Sequence, residues 1–340
     1  MPCYVGLDMS KQLTAICVMD RDGSVLRESA VPTSPVDIIN FLRGDGLRYA
    51  RVGLEAGALA PWLYERLARA GLPVICIETR HAHSVLKANP NKTDRSDARG
   101  IADLMRTRTY RPVHVKTESS QRAQALVTAR KFLKTKAQSI SNLIRGLLLG
   151  LGLKVDKGKT ATFARRVRLL ISRHSFAQSL INPLLEAQSA LYNQLKILER
   201  NIEETAKADP VCRLLTTAPG VGWLTSITFR ATVDEPSRFT KSRTVGPHLG
   251  LVPRTFQSGE TERRGRITKS GDTATRTALY MAAMSLMRMR RRSWLKDWGT
   301  AVAARRGAGK AIVAVARRLG VVLHRMWITG TPFRWENAAV

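Results

Sequence analysis

The sequence is poor in cysteine and in acidic residues, and it contains no long apolar run. Its 4 cysteines (Cys3, Cys17, Cys76 and Cys212) include no C-x-x-C pair, which argues against a zinc site or a disulfide framework and is typical of a reducing cytoplasm. No stretch of about 18 uncharged apolar residues is present, and the first residues lack the basic-then-apolar order of a secretion signal. We therefore expect a cytoplasmic protein that does not enter a membrane.

The scarcity of acidic residues leaves a large positive charge. Lys and Arg number 56 against 26 Asp and Glu, which gives a net charge of +30 in 340 residues. Residues 1–100 carry 13 basic and 11 acidic side chains, whereas the remaining 240 carry 43 and 15. Such a surplus repels itself unless a polyanion neutralises it, and nucleic acid is the usual one. A solvated basic surface is the alternative.

The first hundred residues alternate between β-rich runs and helical segments. Three β-rich runs come first, at 4–8, 14–19 and 24–31, and two helical segments alternate with further runs at 51–55 and 72–78. A hairpin-rich opening followed by β-α-β-α is the order of an RNase H-like fold. We predict an α/β domain of this class over residues 1–110.

The apolar period changes after about residue 119. Apolar residues recur every seven positions over 126–147 and over 181–202, which predicts two helices that pair as a coiled coil, with each other or with partner subunits. Gln188 occupies one of these heptad positions, and Asp209-Pro210 ends the pattern. We predict a coiled-coil helical domain over 111–208 and a mostly helical domain over 209–330.

Four carboxylates fall where predicted strands end and a predicted helix begins. Asp8 and Glu55 close two strands, and Asp94 and Asp97 stand three apart, which places them on one helical face. Hard divalent cations take oxygen ligands, and phosphoryl chemistry is well served by ions held about 4 Å apart by carboxylates. Taken singly, Asp94 is also a candidate helix cap and Glu55 a candidate surface acid. Together the four predict a site for Mg²⁺ or Mn²⁺.

This order of carboxylates, with the segment Asn-Lys-Thr-Asp-Arg-Ser-Asp-Ala-Arg at 91–99, resembles the DEDD transposases, the bridge-RNA-guided recombinases of bacterial insertion sequences. The second half agrees in order, through the segments at 217–222, 250–254, 258–259, 266–272 and 276–280. The resemblance therefore covers nearly the whole chain. One departure is Ala56, where the family usually has Thr or Ser before the glycine.

The resemblance implies a RuvC-like N-terminal domain, a coiled-coil domain and a C-terminal transposase domain that carries a nucleophilic serine. Ser258 falls at the position of that serine. The resemblance also implies donor DNA, target DNA and a structured guide (bridge) RNA as partners in a bacterial cytoplasm. We further expect a homo-oligomer, a dimer that assembles into a tetramer, because the exchange of four strands calls for several active sites.

Ser258 needs help to act as a nucleophile, since its proton must be removed and the charge that develops at phosphorus must be stabilised. Gly259 would let a phosphate approach the backbone closely, and the carboxylate–metal site is the expected source of the base. Without the resemblance, a serine beside a glycine is equally an ordinary turn residue. The cations expected to bind nucleic acid here are Arg254, Arg263, Arg264, Arg266, Lys269 and Arg276. Those expected to bind RNA between the heptad helices are Lys154, Lys157, Lys159, Arg165, Arg166 and Arg168.

Three other functions share some of these features. A RuvC-like metal-dependent junction nuclease without an RNA guide would use the carboxylates, but it would not need the Ser258 segment or the basic C-terminal domain. An actin-like sugar kinase also opens with a Gly-x-Asp strand, yet a second glycine-rich phosphate loop is missing from the sequence. A nucleic-acid-packaging protein would account for the charge and leave the carboxylates without a role.

Overall fold

The structure is a computed structural model that describes residues 2–44, 46–86, 93–156, 158, 160–258 and 261–336. The chain divides into two compact units, Met1–Lys116 and Thr117–Val340. The predicted boundary at 208/209 lies inside the second unit, and the division into three domains stays a prediction. Among the described residues, every helix is too short or too polar to cross a bilayer.

The first unit is built on a five-stranded mixed sheet. An antiparallel meander of β1 (Pro2–Met9), β2 (Leu13–Met19) and β3 (Val25–Pro32) forms one half. β4 (Arg48–Glu55) and β5 (Val74–Ile77) extend the sheet in parallel from β1, which gives the order β3-β2-β1-β4-β5. This topology confirms the predicted RNase H-like α/β fold.

Helices cover both faces of this sheet. They are α1 (Pro35–Arg43), α2 (Ala60–Arg69), α3 (Thr79–Leu86) and α4 (Asp94–Thr107). Because side chains alternate between the faces of a strand, neighbouring residues of β1 join different cores. Leu7 packs in one core with Ile38 of α1 and Leu63 of α2. Tyr4 packs in another core with Ile101 and Met105 of α4.

The second unit opens with a long helical hairpin. α5 (Glu118–Gly150) and α7 (Ser175–Ala208) run antiparallel, with the short α6 (Phe163–Ile171) between them in sequence. Gln188 is buried between the long helices and donates to the carbonyl oxygen of Ala137 (2.9 Å) and to Ser141 Oγ (2.5 Å). The heptad segments thus pack against each other within one chain.

The described residues in the rest of the second unit form helices and a β-hairpin, and the sequence analysis does not predict the hairpin. The elements are α8 (Pro210–Leu215), α9 (Trp223–Val233), α10 (Val245–His248), β6 (Pro253–Ser258), β7 (Thr261–Ile267), α11 (Thr273–Arg288), α12 (Trp294–Arg306) and α13 (Ala308–Thr329). Phe229 of α9, Leu279 of α11 and Leu319 of α13 are fully buried in one core. The hairpin lies between α10 and α11 in sequence.

Candidate active site

Asp8 and Glu55 lie side by side at one edge of the sheet. Leu7 pairs with Leu54 in the parallel ladder of β1 and β4, so the two acids follow at the next position of adjacent strands. Neighbouring strands are about 4.8 Å apart. Both acids are half-buried, and the structure therefore brings this predicted pair together.

Two glycines let α4 lie directly on these strands. Gly6 and Gly53 are register partners in β1 and β4. A methyl group at Gly6 would lie 2.0 Å from the carbonyl oxygen of Ala98, and one at Gly53 would lie 2.7 Å from Met105 Cγ. A larger residue at Gly6 would meet the backbone of α4 and push the helix away from the sheet, and one at Gly53 would displace the side chains of Met105 and Ile101.

The same glycines explain the direction of the acidic side chains. Residues two apart in a strand share a face, so Asp8 lies on the face of Gly6 and Glu55 on the face of Gly53. That face is the one that α4 covers. Both strand acids therefore lie on the helix side of the sheet.

The orientation of α4 places its first turn at the same edge. Near its C-terminal end, the carbonyl oxygen of Arg106 accepts a hydrogen bond from Arg51 Nη2 (3.5 Å), and Arg51 pairs with Tyr4 near the start of β1. The helix thus runs antiparallel to β1 and begins near its carboxyl end. Asp97 is half-buried and Asp94 is exposed at this start.

The cap of α4 is Thr93, not Asp94. The Thr93 hydroxyl accepts from the amide of Ser96 (3.1 Å), and Ser96 Oγ accepts from the amide of Thr93 (2.9 Å). This capping box satisfies the first amides of the helix. It leaves the carboxylate of Asp94 available for the other role that the sequence predicts.

Glu28 of β3 ties the first turns of α4 to the sheet, a role that sequence analysis missed. Arg95 Nε donates to Glu28 Oε2 (2.5 Å), and Arg99 Nη2 donates to the same oxygen (2.8 Å). Hydrogen bonding from Arg99, reinforced by Arg95, lowers the pKa of Glu28 from 4.5 to about 2. The spacing of Arg95 and Arg99 by four residues was the available signal, since it puts both on one helical face.

The carboxylates offer the right donor atoms for a metal without forming a closed site. Four carboxylates provide the oxygen ligands that Mg²⁺ and Mn²⁺ prefer. Among the residues that the structure describes, no three Asp, Glu, His or Cys side chains are grouped closely enough to hold an ion. The metal site, and with it the metal-binding role of all four residues, stays a prediction.

Ser258 is the last residue of β6 and pairs with Thr261 across the hairpin. Its neighbour Gly259 lies outside the described residues. Arg264 lies opposite Thr255 in β7. The side chains of four other predicted cations are exposed in or just after the hairpin, namely Arg254, Arg263, Arg266 and Lys269.

Arg276, in contrast, is turned toward the protein. Its Nη1 donates to the carbonyl oxygens of Leu249 (3.2 Å), Ser270 (2.8 Å) and Gly271 (2.9 Å), and its Nη2 donates to Thr273 Oγ1 (3.0 Å). These bonds join the segments that enter and leave the hairpin. The structure gives Arg276 a role in holding the hairpin, and its contact with nucleic acid stays a prediction.

The predicted RNA-binding segment lies between α5 and the end of α6. Lys154, Arg165 and Arg168 are exposed, while Arg166 is half-buried and donates to the carbonyl oxygen of Asp156. The other two, Lys157 and Lys159, lie outside the described residues. The exposed cations are available to a polyanion, and their RNA contact stays a prediction.

Both halves of the chain match families of transposases. Residues 5–152 match a model described as a transposase of the DEDD, IS110 type, and residues 212–298 match the "Transposase IS116/IS110/IS902 family". The chain is 30% identical over 323 residues to the transposase for insertion sequence element IS1111A of Coxiella burnetii, which covers 92% of this chain and 86% of that protein. The chain belongs to the IS110-type family of insertion-sequence transposases. Its enzymatic class is therefore DNA cleavage and transposition.

Other matches agree with this assignment or cover less of the chain. A probable family 20 transposase of Pseudomonas aeruginosa is 26% identical over 337 residues, which cover 97% of this transposase and 98% of that protein. The structure of T. thermophilus RuvC in complex with a Holliday junction substrate matches 33% of this chain and 100% of that chain, at 15% identity and a TM-score of 0.26. Family membership argues against the sugar kinase and the packaging protein.

Proposed function

We propose that this transposase cuts and rejoins DNA strands with a divalent metal held by Asp8, Glu55, Asp94 and Asp97, and with Ser258 as the nucleophile. The observation that carries the carboxylate part is the close packing of α4 on Gly6 and Gly53. That packing brings the helix start and the two strand ends to one edge and one face of the sheet. A structured RNA guides the choice of strands.

The carboxylates would hold Mg²⁺ or Mn²⁺, and a bound ion would supply Lewis-acid stabilisation of charge on a phosphoryl oxygen. Asp8 and Glu55 project from adjacent strands of a sheet, which is a rigid support. Asp97 projects from a helix that Glu28 attaches to β3 through Arg95 and Arg99. A site on such rigid elements keeps its groups in place through repeated cycles.

Ser258 would form a covalent intermediate with DNA. Its oxygen forms a bond to phosphorus while the bond from phosphorus to the sugar oxygen of the leaving strand breaks. The serine proton passes to a base, and the sugar oxygen leaves as a hydroxyl after it takes a proton. In the rejoining step, the hydroxyl of the incoming strand attacks the phosphoserine ester and releases the serine. Arg254 and Arg263, both exposed in the hairpin, provide positive charge for the phosphate.

The proposed RNA guide is supported by the charge. Residues beyond 100 carry a net charge of +28, which a nucleic-acid polyanion would neutralise. Binding to RNA should weaken steeply as salt concentration rises. RNA that copurifies with the expressed transposase can be sequenced. Full strand exchange by RNA-free protein on naked DNA would overturn the guided mechanism.

We also propose that the transposase acts as a dimer that assembles into a tetramer. The heptad segments are used within the chain, by the α5–α7 hairpin. Subunit contacts therefore need another face, and Phe132 and Leu143 are exposed on the outside of α5. Light scattering of the RNA-bound protein measures the assembly, and a monomer that still recombines would overturn it.

The experiment that tests the serine is covalent trapping. Wild-type transposase, S258A and T261V are each incubated with a nicked suicide duplex that carries an end of the element. Thr261 is the matched control because it is the hydroxyl residue that pairs with Ser258 across the hairpin. We expect a protein–DNA adduct with wild type and T261V and none with S258A.

Three results would contradict this proposal. An undiminished adduct with S258A would assign the covalent bond to another side chain. Strand exchange without any adduct would leave a mechanism that depends on metal alone. Cleavage of four-way junctions by protein freed of RNA would instead favour the junction nuclease.

A further inference from the structure

The β6–β7 hairpin exposes an aromatic ring beside the proposed nucleophile. Phe256 is 59% exposed, whereas Phe229 and Phe333, in the core of the same unit, are at most 6% exposed. A large apolar side chain gains stability from burial, so an exposed one contributes little to this fold. Phe132 and Phe176 of the same unit are exposed to a similar extent, so the surroundings of Phe256 in the hairpin, and not its exposure alone, carry the inference.

The ring of Phe256 lies across the neighbouring strand at Gly265. A methyl group at Gly265 would lie 3.1 Å from Phe256 Cε2 and 3.8 Å from Arg254 Cβ. The glycine thus leaves room for the ring on the surface of the hairpin. The backbone of β7 supports one side of the ring, and more than half of the residue surface remains open to a ligand.

Two arginines lie next to Phe256 in the hairpin. Arg263 lies directly opposite Phe256 in the strand register, and Arg254 precedes it by two residues in β6, on the same face of the strand. Both arginines are exposed. An open aromatic face combined with cations is the arrangement with which proteins bind single nucleic-acid strands, because bases stack on the ring and phosphates pair with the cations.

We propose that Phe256 is a stacking platform for a base of the DNA strand that is cut, with Arg254 and Arg263 on the phosphates of that strand. The inference rests on the proposed function, because it places the base next to the phosphate that Ser258 attacks. Ser258 follows Phe256 by two residues in β6, a distance of about 6.6 Å along a strand. A base held there would fix the register of the strand without reading its sequence, since every base has a π-face.

The first test measures affinity for two probes, a 12-nucleotide oligothymidylate and a 12-unit abasic strand with the same backbone. We expect F256A to weaken oligothymidylate binding about tenfold, and F256W to restore it. F256A and the wild type should bind the abasic strand with equal affinity. R263Q should lower the salt dependence of binding by about one unit of slope, and F256A should leave it unchanged.

Oligothymidylate can also bind elsewhere on the basic surface, and this would mask the loss of affinity in F256A. The second measurement therefore locates the bound strand. An oligothymidylate with one 5-iodouracil is photocrosslinked to the full-length transposase, and the attachment site is mapped by mass spectrometry. We expect attachment at Phe256. Attachment only at other residues would overturn the proposal. Leucine supplies apolar bulk without a ring, so an F256L variant that binds oligothymidylate as tightly as wild type would overturn it as well.

Other ligands give distinguishable outcomes. A loss with F256A on oligouridylate but not on oligothymidylate would assign the platform to RNA and overturn the DNA proposal. A change in oligomeric state with unchanged DNA affinity would assign it to a subunit interface, which also overturns it. S258A should keep both the affinity and the crosslink, so a failure of the nucleophile and a failure of the platform are told apart.

Discussion

The two units prepare their proposed chemistry in opposite ways. In the first unit Asp8 and Glu55 stand on adjacent strands under a helix that packs against Gly6 and Gly53, with its backbone against Gly6. In the second, the proposed serine stands near the tip of a hairpin in which Arg254, Arg263 and Arg266 are exposed. A metal site needs ligands at fixed distances, whereas a strand-binding site must admit a large, charged polymer. The packing in each unit follows that difference.

The hairpin is nevertheless fixed at its base. Gly250 and Gly271 have positive φ values of 65° and 80°, and a methyl group on either would lie within about 2.1 Å of a backbone oxygen. Arg276 adds hydrogen bonds to the same two segments. The comparison is therefore between acids on a sheet and a helix that pack closely together and a serine on a hairpin that is held at its base and exposes arginines nearer its tip.

The largest expected effect comes from removing an acid of the first unit. D97N should lower strand exchange by about 10²–10³-fold, because the group that would stabilise charge at phosphorus through a metal is lost. D103N, on the same helix, is the control, since Asp103 pairs with Arg106 on the surface. Chelation of Mg²⁺ and Mn²⁺ should abolish exchange by the wild type. Wild-type rates for D97A or D97N would break the metal-site assignment.

The next effect tests whether the first unit depends on the close packing of α4 against Gly6. G6A should destabilise this unit by about 3 kcal/mol, because its methyl group meets the backbone of α4. Amide hydrogen exchange in α4, compared with α11, locates the effect in the first unit. G57A is the matched control, since nothing lies within 4 Å of a methyl group there. Equal exchange rates in G6A and G57A would contradict the packing argument.

A third effect tests the base of the hairpin. R276A should destabilise the segments around Leu249 and Ser270 by about 2 kcal/mol, because a charged donor to several carbonyl oxygens is lost. R266A, an exposed arginine in β7, should leave stability unchanged and weaken DNA binding instead. Thermal unfolding and oligonucleotide affinity, measured on both variants, give the contrast. If R276A lost as much DNA affinity as R266A and kept the stability of the wild type, Arg276 would be one of the DNA contacts.

The contrast between the units also shows where sequence reasoning succeeds. The strands of the first unit follow from local apolar patterns, and the register of β1 and β4 then brings Asp8 and Glu55 together. Glu28 could not be linked to Arg95 and Arg99 in this way, because they are 67 and 71 residues away in sequence. Heptads predict α5 and α7, yet a heptad carries no information on whether its partner lies in the same chain. In the sequence Arg276 looks like the other basic residues around the hairpin. Its side chain differs because it points toward carbonyl oxygens of the protein, and tertiary packing determines that direction.

The smallest expected effect concerns the attachment of α4 by Glu28. The carboxylate has a pKa of about 2 in the folded protein against 4.5 ordinarily, so its ionised form is the one that favours folding. Its contribution is complete above pH 4.5 and is lost as the pH falls from 4.5 toward 2. E28Q should remove that part of the pH dependence, so that wild type and variant converge in acid and differ most near pH 7. The difference in stability between wild type and E28Q should be small because Arg95 and Arg99 are 70% and 46% exposed.

Unfolding followed from pH 2 to 7 measures this difference. E65Q is the control because Glu65 pairs with Arg69 on α2. A larger loss of strand exchange than of stability in E28Q would show that the attachment positions Asp97, whereas parallel losses would limit Glu28 to a structural role.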